Sequence, residues 1–511
     1  MSYALTIVKK ARGMAPVGAQ ELLGCRYKQV QRRRYPETPP TEASRHRARR
    51  RHTALAAVRE LLPVDRAIGD PRGRRFSRVQ VDTTQKDADL DTLEALAQGV
   101  TLIEGAVFGG IYEGVHWHAE VDLLALLPSG TYLPVVVTNH RVGRAKQGAS
   151  TPVISTARLG LSEPHPEEYA LKHHSSDSFR LALAARALEE YGVGDGRGAI
   201  IGQDRRRAFL TPTQNFQRAV NTALLSPVPQ APRRLKECAD CRFWQYCRPE
   251  LVAADDLSLF LPGDRAQRFR QRGIHTVTGL AQAGLGEASA LARAWQQGIS
   301  VLRREVVQPP ARADIEVDID VEAYLDQGTY LWGTYDGRDY RPFVTWEGLG
   351  GEAEARNFAE FWRWLMDTRA QAHATGRSFR AYCYASHGEN HWLRASARRL
   401  PGGPTEEEVS AFIRSEEWVD VFDSVKASLA GPMGLGLKVV APQAGFQWRD
   451  EGFDGEESVN AYRVAVEVDT GDSEEARRVL LRYNADDCVA TAAVRNWLSD
   501  GAPGAPALGA S

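Results

Sequence analysis

Long apolar runs are missing from this chain of 511 residues. None reaches the roughly 18–20 residues that a membrane-spanning helix needs, so no membrane partner is expected. The opening MSYALTIVKKARG has no secretory apolar core followed by a small-residue cleavage site, and a cytoplasmic location is the expectation. Cysteine is scarce, with six in all. In a reducing cytosol they are not expected to pair as disulfides, and any cluster of them reads as metal ligands. Net charge is nearly absent at −1, which hides an asymmetry. Residues 1–60 hold fourteen Lys and Arg against four Asp and Glu. The basic residues gather at Arg32, Arg33 and Arg34 and again from Arg45 through Arg49, Arg50 and Arg51. A polyanion such as DNA would find that lobe attractive, and a solvated helix face with a basic loop would look the same.

What is present suits a globular protein of two or three domains: 43% hydrophobic and 25% charged residues over a length too great for one core. Residues 1–250 read as mixed α/β. Segments 54–63 and 92–100 have helical spacing, 121–140 reads as a β-hairpin about a Pro-Ser-Gly turn, and 178–192 is an amphipathic helix ending at Gly192. Residues 251–308 read as short helices, with Arg272-Gly273-Ile274 followed by Val277, Leu280 and Ala281 in a helix-hairpin-helix-like pattern. Such a hairpin offers backbone N–H groups to phosphate; a compact helical linker is the plainer alternative. Pro309-Pro310 marks a boundary. Beyond it the order strand 314–322, strand 330–336, strand 340–348, helix 353–370, strand 379–386 and later helices predicts a mixed sheet with flanking helices over 309–499. Residues 500–511, rich in Gly, Ala and Pro, are expected to form a disordered tail.

Cys238, Cys241 and Cys247 form C-x2-C-x5-C, and Cys25 stands more than two hundred residues upstream. Four thiolates suit an iron–sulfur cluster or zinc, although the second C-x2-C knuckle usual for zinc is missing. One N-terminal cysteine with a distant C-x2-C-x5-C resembles the RecB-like and AddB-type nucleases. The resemblance covers roughly residues 15–250. It implies a PD-(D/E)xK fold whose two ends are stapled by a 4Fe–4S cluster on Cys25, Cys238, Cys241 and Cys247, with zinc as the alternative. It implies Asp122 as the first metal-binding acid and His52 as the upstream histidine. The next strand, expected as PVEVKNH, reads PVVVTNH, with Val136 in place of the Glu and Thr138 in place of the Lys. The helix that carries a Gln-x3-Tyr pair in the family reads Arg180-Leu181-Ala182-Leu183-Ala184. Val binds no metal and Thr carries no charge, so this domain is expected to be catalytically degenerate. His116, His118 and His140 near Asp122 are either an unorthodox metal site or ordinary histidines.

The strand Asp314 to Glu322 alternates strictly, which puts Glu316, Asp318, Asp320 and Glu322 on one face. A row of acids is costly to bury unpaired; metal binding explains it, and so does a solvated strand face. Further on, Tyr483 and Asp487 lie four apart on one helix face. These segments resemble RNase H-like exonucleases of the DnaQ or DEDD type, most closely the YprB-like branch. The resemblance implies four carboxylates holding two Mg2+ or Mn2+ ions: Asp320 and Glu322, then Glu389, then Asp487, with Tyr483 positioning the attacking water. Asp314 and Glu316 form a lower-ranked Asp-x-Glu, and Asp486 points away on the helix. Trp418, Asp420 and Lys438 also match the family's middle section. The resemblance implies a metal-dependent 3′→5′ exonuclease acting on DNA in repair or recombination. A non-catalytic DNA-binding scaffold that recruits a helicase and a ribonuclease acting on structured RNA are the rival expectations.

Overall fold

A computed structural model describes residues 16–64, 76–325, 327–450, 452–453 and 455–509. The chain divides into two compact units, Met1–Ala266 and Gln267–Ser511, and the helical stretch expected over 251–308 falls across that division.

The first unit is built on one nine-stranded sheet. Its strands are β1 (Val17–Gly18), β2 (Arg78–Gln80), β3 (Leu102–Tyr112), β4 (Val115–Leu126), β5 (Tyr132–Val137), β6 (Thr151–Ser155), β7 (His165–Glu167), β8 (Arg197–Ile201) and β9 (Arg207–Pro212). They run in the order β2-β3-β4-β5-β8-β9-β6-β7, with β1 parallel beside β4. The β3–β4 hairpin closes through Glu113 and Gly114, both at positive φ (46° and 81°), as the right-handed twist of a two-residue turn demands. The expected β4–β5 hairpin is present, with Leu126 opposite Tyr132. β5 then pairs parallel to β8 and is buried on both faces, which is why its valines run without alternation. Val136 joins the core on the side of Leu181 and Ala184, whereas Val135 and Val137 join Ala54 and Val58 on the other. Those partners mark the helices: α1 (Lys28–Arg34) precedes α2 (Glu42–Leu61), which covers one face, and α3 (Ser175–Glu190) covers the other.

The second unit opens with short helices. α4 (Val277–Gln282) and α5 (Glu287–Gln296) form a hairpin whose turn holds Gly284 and Gly286 at φ +64° and +57°. The turn therefore lies at Gly284-Leu285-Gly286, not at the Arg272-Gly273-Ile274 pattern picked out by sequence; Gly273, at φ +81°, follows the preceding short helix. The main body is a five-stranded sheet of β10 (Ile315–Tyr324), β11 (Gly328–Tyr335), β12 (Tyr340–Val344), β13 (Phe379–Cys383) and β14 (Trp418–Asp420), in the order β12-β11-β10-β13-β14. β10, β11 and β12 are antiparallel, and β13 and β14 run parallel to β10. Val317 and Ile319 turn to one face, where Phe358 and Phe361 of α6 (Glu352–Ala374) pack, the Phe361 ring stacking on Trp332 at 4.7 Å. The opposite face carries the acids and is covered by α9 (Ser473–Ser499). Two smaller helices are α7 (His387–Arg399), whose Leu393 joins the cluster of Val317 and Ile319, and α8 (Leu437–Val440), whose Val440 packs with Ala490 and Val494 of α9.

The expected disordered tail is corrected over 500–509. Ala502 is fully buried, Trp497 Nε1 donates to the Pro503 carbonyl at 2.9 Å, and Leu508 N donates to the Arg303 carbonyl at 2.7 Å. Gly and Pro signalled turns here, but backbone pairing with residue 303 and an apolar seat for Ala502 order the segment; residues 510–511 lie outside the described residues. Ending the chain at Asp500 removes these contacts. Calorimetry should show the C-terminal unit unfolding roughly 4 °C lower, whereas an unchanged transition would show that the tail contributes nothing.

Candidate active site

The acid row on β10 meets α9 along its length, and the two halves of the row meet different chemistry. At the start of the strand, Arg495 Nη2 contacts Asp318 at 2.7 Å and Nη1 contacts Glu316. Arg312 adds two bonds of 2.7 Å to Glu316, and Tyr382 donates its hydroxyl to Glu316 at 2.9 Å. Burial pushes the Glu316 carboxyl up, but these partners hold it at about 2. Asp314 accepts from the backbone N–H and hydroxyl of Ser378 at 2.8 and 2.7 Å. These three acids are therefore occupied by the fold itself.

Further along, the cations stop. Asp320, Glu322 and Asp487 each bring a carboxylate oxygen within 4.8 Å of the others. Among the described residues, no lysine, arginine or histidine forms an ion pair with any of them within 4.0 Å. Their contacts are neutral donors. Asn484 Nδ2 donates to Asp320 at 2.7 Å, and the Tyr340 hydroxyl donates to Asn484 Oδ1 at 2.8 Å, which fixes the amide's orientation. Ser458 Oγ donates to Glu322 at 2.8 Å, and Trp448 Nε1 donates to Asp487 at 2.8 Å. Tyr483, one turn earlier on the same helix, also favours the charged form of Asp487. Burial, then the charges of Asp487, Glu322 and Glu389, push Asp320 well above the carboxylate range. Burial takes Glu322 up to about 7 and Asp487 up to about 6. Converging carboxylates in a poorly hydrated place resist ionising together, and divalent cations are the complement such a set lacks.

Glu389 sits in the first turn of α7, buried, and burial raises it to about 7. Its charge acts on Asp320, yet it is not one of the three whose oxygens converge. The turn that delivers it is strained: Ala385 has φ +63°, a region costly for a residue with a Cβ. Asp420 holds that turn by accepting from the N–H groups of Ala385 and Ser386, both at 2.9 Å, and Trp418 Nε1 donates to Asn390 at 2.9 Å. Asp486 is taken up by Arg449, which contacts it through N and Nε at 2.9 Å. Asn484 escaped the sequence reading. Its only signal is position, three residues before Asp487 on the same helix. Gly333 makes its approach possible, since a Cβ there would collide with Asn484 Oδ1.

In the first unit Asp122 is closed off. Arg51 Nη2 contacts it at 2.6 Å, Arg180 Nη2 at 3.3 Å, and the Val137 N–H at 2.8 Å. Burial opposes ionisation, but the two guanidinium groups keep this carboxyl below its usual range. Val136 is fully buried in the core, and Thr138 Oγ1 bonds His140 Nδ1 at 2.8 Å. His52 is exposed, and its neighbour Arg51, not His52, reaches Asp122. His140 lies 3.2 Å from Asp177 and stacks on His174 at 3.5 Å; burial and its cationic neighbours lower it to about 4. His118 Nδ1 lies 3.3 Å from the Pro16 carbonyl. Among the described residues His116, His118 and His140 form no ligand set with Asp122.

Part of the basic lobe is paired with acids while staying part-exposed. Arg32 pairs with Glu21 at 2.8 Å, Arg34 with Glu250 at 3.6 Å, and Arg51 with Asp122. Arg33 and Arg49 are exposed and Arg50 is half-buried. Cys25, Cys238, Cys241 and Cys247 all line one small cavity together with Lys28, Gln31 and Trp244. The Cys25 N–H donates to Glu237 at 2.7 Å and Gln31 Nε2 donates to Cys247 Sγ at 3.2 Å. No three of the four sulfurs lie within 4.8 Å of one another. Burial raises the thiols of Cys25 and Cys238, and that of Cys247 to about 11. Cys383 and Cys488 are buried.

Residues 317–499 match the RNase_H_2 family model of the RNase_H superfamily, and the C-terminal unit has that RNase H-like fold. The match spans both halves of the candidate site. No curated protein matches the chain. A solved structure described as "Crystal structure of SSO0001" is 12% identical over 48% of this chain and 92% of its own, with a TM-score of 0.22, a likeness too low to bear on fold or function.

The raised carboxyls predict a pH dependence in the metal-free protein. Their ordinary values are 3.8 for Asp487 and 4.5 for Glu322 and Glu389, against about 6, about 7 and about 7 in the folded chain. A carboxyl raised by folding adds stability at acid pH that is lost as pH rises through its folded value. Thermal stability of the C-terminal unit should therefore fall from about pH 4.5 to about pH 7.5 in chelator and recover when Mn2+ or Mg2+ is added. A flat profile, or no recovery, contradicts the assignment of these residues to one site.

Proposed function

We propose that the chain is a divalent-metal-dependent phosphodiesterase, a 3′→5′ exonuclease on DNA serving repair or recombination, with its chemistry in the C-terminal unit. One observation carries the reading: Asp320, Glu322 and Asp487 converge with no cation among them, on a fold whose relatives use acids in this way. The residues fit two Mg2+ or Mn2+ ions, with Asp320, Glu322 and Asp487 as ligands and Glu389 as the fourth acid. When bound, such ions neutralise phosphodiester oxygens, lower the pKa of a water and stabilise the leaving oxygen. The chain's own residues do the rest. Asn484 holds one Asp320 oxygen so that the other is free to ligate. Trp448 does the same for Asp487. Tyr483, on the same helix face as Asp487, is placed to orient the water that attacks.

The first unit is proposed as a degenerate PD-(D/E)xK-like domain that grips DNA. Supporting this, Arg51 and Arg180 stand where a metal would be needed at Asp122, and a guanidinium there supplies charge without Lewis acidity. Arg33, Arg49 and Arg50 remain for phosphate contacts. The four cysteines are proposed to hold a 4Fe–4S cluster. Two observations support this: all four cysteines line one cavity, and the C-x2-C-x5-C run lacks the second C-x2-C knuckle usual for zinc. The cluster would staple the segment carrying Cys25 to the segment 238–247.

Two experiments test these readings. With end-labelled DNA and structured RNA as substrates, Asp320→Asn or Asp487→Asn should slow Mn2+-dependent digestion by about 10³-fold, and Asp122→Asn should leave it intact. Unchanged digestion in the first two variants sinks the assignment, and loss in Asp122→Asn alone moves the chemistry to the first unit. Anaerobically purified protein should carry iron and broad visible absorption, both lost in Cys238→Ser. Stoichiometric zinc in a colourless protein would overturn the cluster.

A further inference from the structure

The acids of the candidate site leave one charge unbalanced. Ionised Asp320, Glu322, Glu389 and Asp487 carry four negative charges, which two divalent cations match. A phosphodiester brings one more. Arg495, Arg312 and Arg449 are already engaged by Glu316, Asp318 and Asp486. Lys438, on the short helix α8, is the cation that remains close. Its Nζ lies 4.9 Å from the centre of the Tyr483 ring and 5.9 Å from that of Trp448. Trp448 donates to Asp487, and Tyr483 lies four residues before it on the same helix. Its ammonium donates to the Phe453 carbonyl, and the Phe453 ring packs on Tyr483 at 4.9 Å. An ammonium has three donors, and among the described residues Lys438 forms no ion pair with a carboxylate within 4.0 Å. A lysine tied to one carbonyl and propped on two aromatic faces is aimed rather than spent. Its charge also reaches the two nearest acids, drawing both Glu322 and Asp487 down against the burial that raises them.

We propose that Lys438 is the built-in counter-charge for the phosphodiester, held beside the acid site and kept out of contact with the acids until the substrate arrives. The proposal rests on the functional reading above. It makes two demands of opposite sign. A positive charge beside the acids weakens cation binding there, and it strengthens the hold on an anionic substrate. A residue that merely supports the fold would move both in the same direction.

The test uses the full chain with its cysteine site loaded. Mn2+ binding is followed by titration calorimetry, binding of a single-stranded DNA oligonucleotide is measured in Ca2+, and single-turnover cleavage is measured in Mn2+. Lys438→Met should bind Mn2+ about tenfold more tightly, bind the oligonucleotide more weakly and cleave about 10²-fold more slowly. Lys438→Arg should stay within a few-fold of the parent in all three. Mn2+ affinity that is unchanged or weaker in Lys438→Met overturns the proposal, and so does unchanged oligonucleotide binding. If the parent chain cleaves no nucleic acid, the functional reading fails by itself, and the Mn2+ and oligonucleotide measurements still decide the role of Lys438.

Discussion

Arg495 divides the acid row on β10, and the character of the C-terminal unit follows from that division. The strand alternates, so every acid from Glu316 to Glu322 must face α9. Left alone, that row would be too negative to bury. Arg495, itself 2% exposed, spans Glu316 and Asp318 and makes the first half of the row a buried ion network. Such a network adds little net stability, but removing one partner leaves an unpaired buried charge and is costly. Two to three helical turns away, about 12–16 Å along the axis, the same helix presents Asp487 and Asn484 instead of a cation. The helix thus supplies positive charge at one end of the strand and withholds it at the other. Among the described residues, the second half has no cationic partner.

The first unit uses the same device to the opposite effect. Asp122 stands on a strand beside Val136 and Val137, in a sheet covered by helices on both sides. Arg51 and Arg180 reach it from those helices. Where Arg495 stops short of Asp320, Arg180 does not stop short of Asp122. A carboxylate in contact with two guanidinium groups has its charge balanced, so a metal could enter only by displacing them. Beside it, Val136 is buried in the core and Thr138 bonds His140, so neither adds charge to that pair of contacts.

The legible part of this chain was its periodicity. The alternation of β10, the β4–β5 hairpin and the helix over 178–192 all lie in patterns of two or 3.6 residues, and the structure places them within a few residues of expectation. Such patterns could be read without knowing any neighbour. Partners across long separations could not. Nothing local says that Arg495 belongs to Glu316 and Asp318, that Asn484 orients Asp320, or that Asp420 pins the turn before Glu389. The acidic partners of the basic clusters were hidden for the same reason: Glu21, Glu250 and Asp122 stand beside Arg32, Arg34 and Arg51, which stay part-exposed. The tail misled because Gly and Pro report turns, not disorder, once an apolar seat such as that of Ala502 exists.

The central claim is that the unneutralised half of the β10 row, together with Asp487, is the cation site. Anomalous diffraction from crystals soaked in Mn2+ tests it directly, because the signal locates the metal independently of catalysis. The account predicts Mn2+ among Asp320, Glu322 and Asp487, with Glu316 and Asp318 still bound to Arg495. Mn2+ at Glu316 and Asp318, or no Mn2+ beside Asp320, would contradict it.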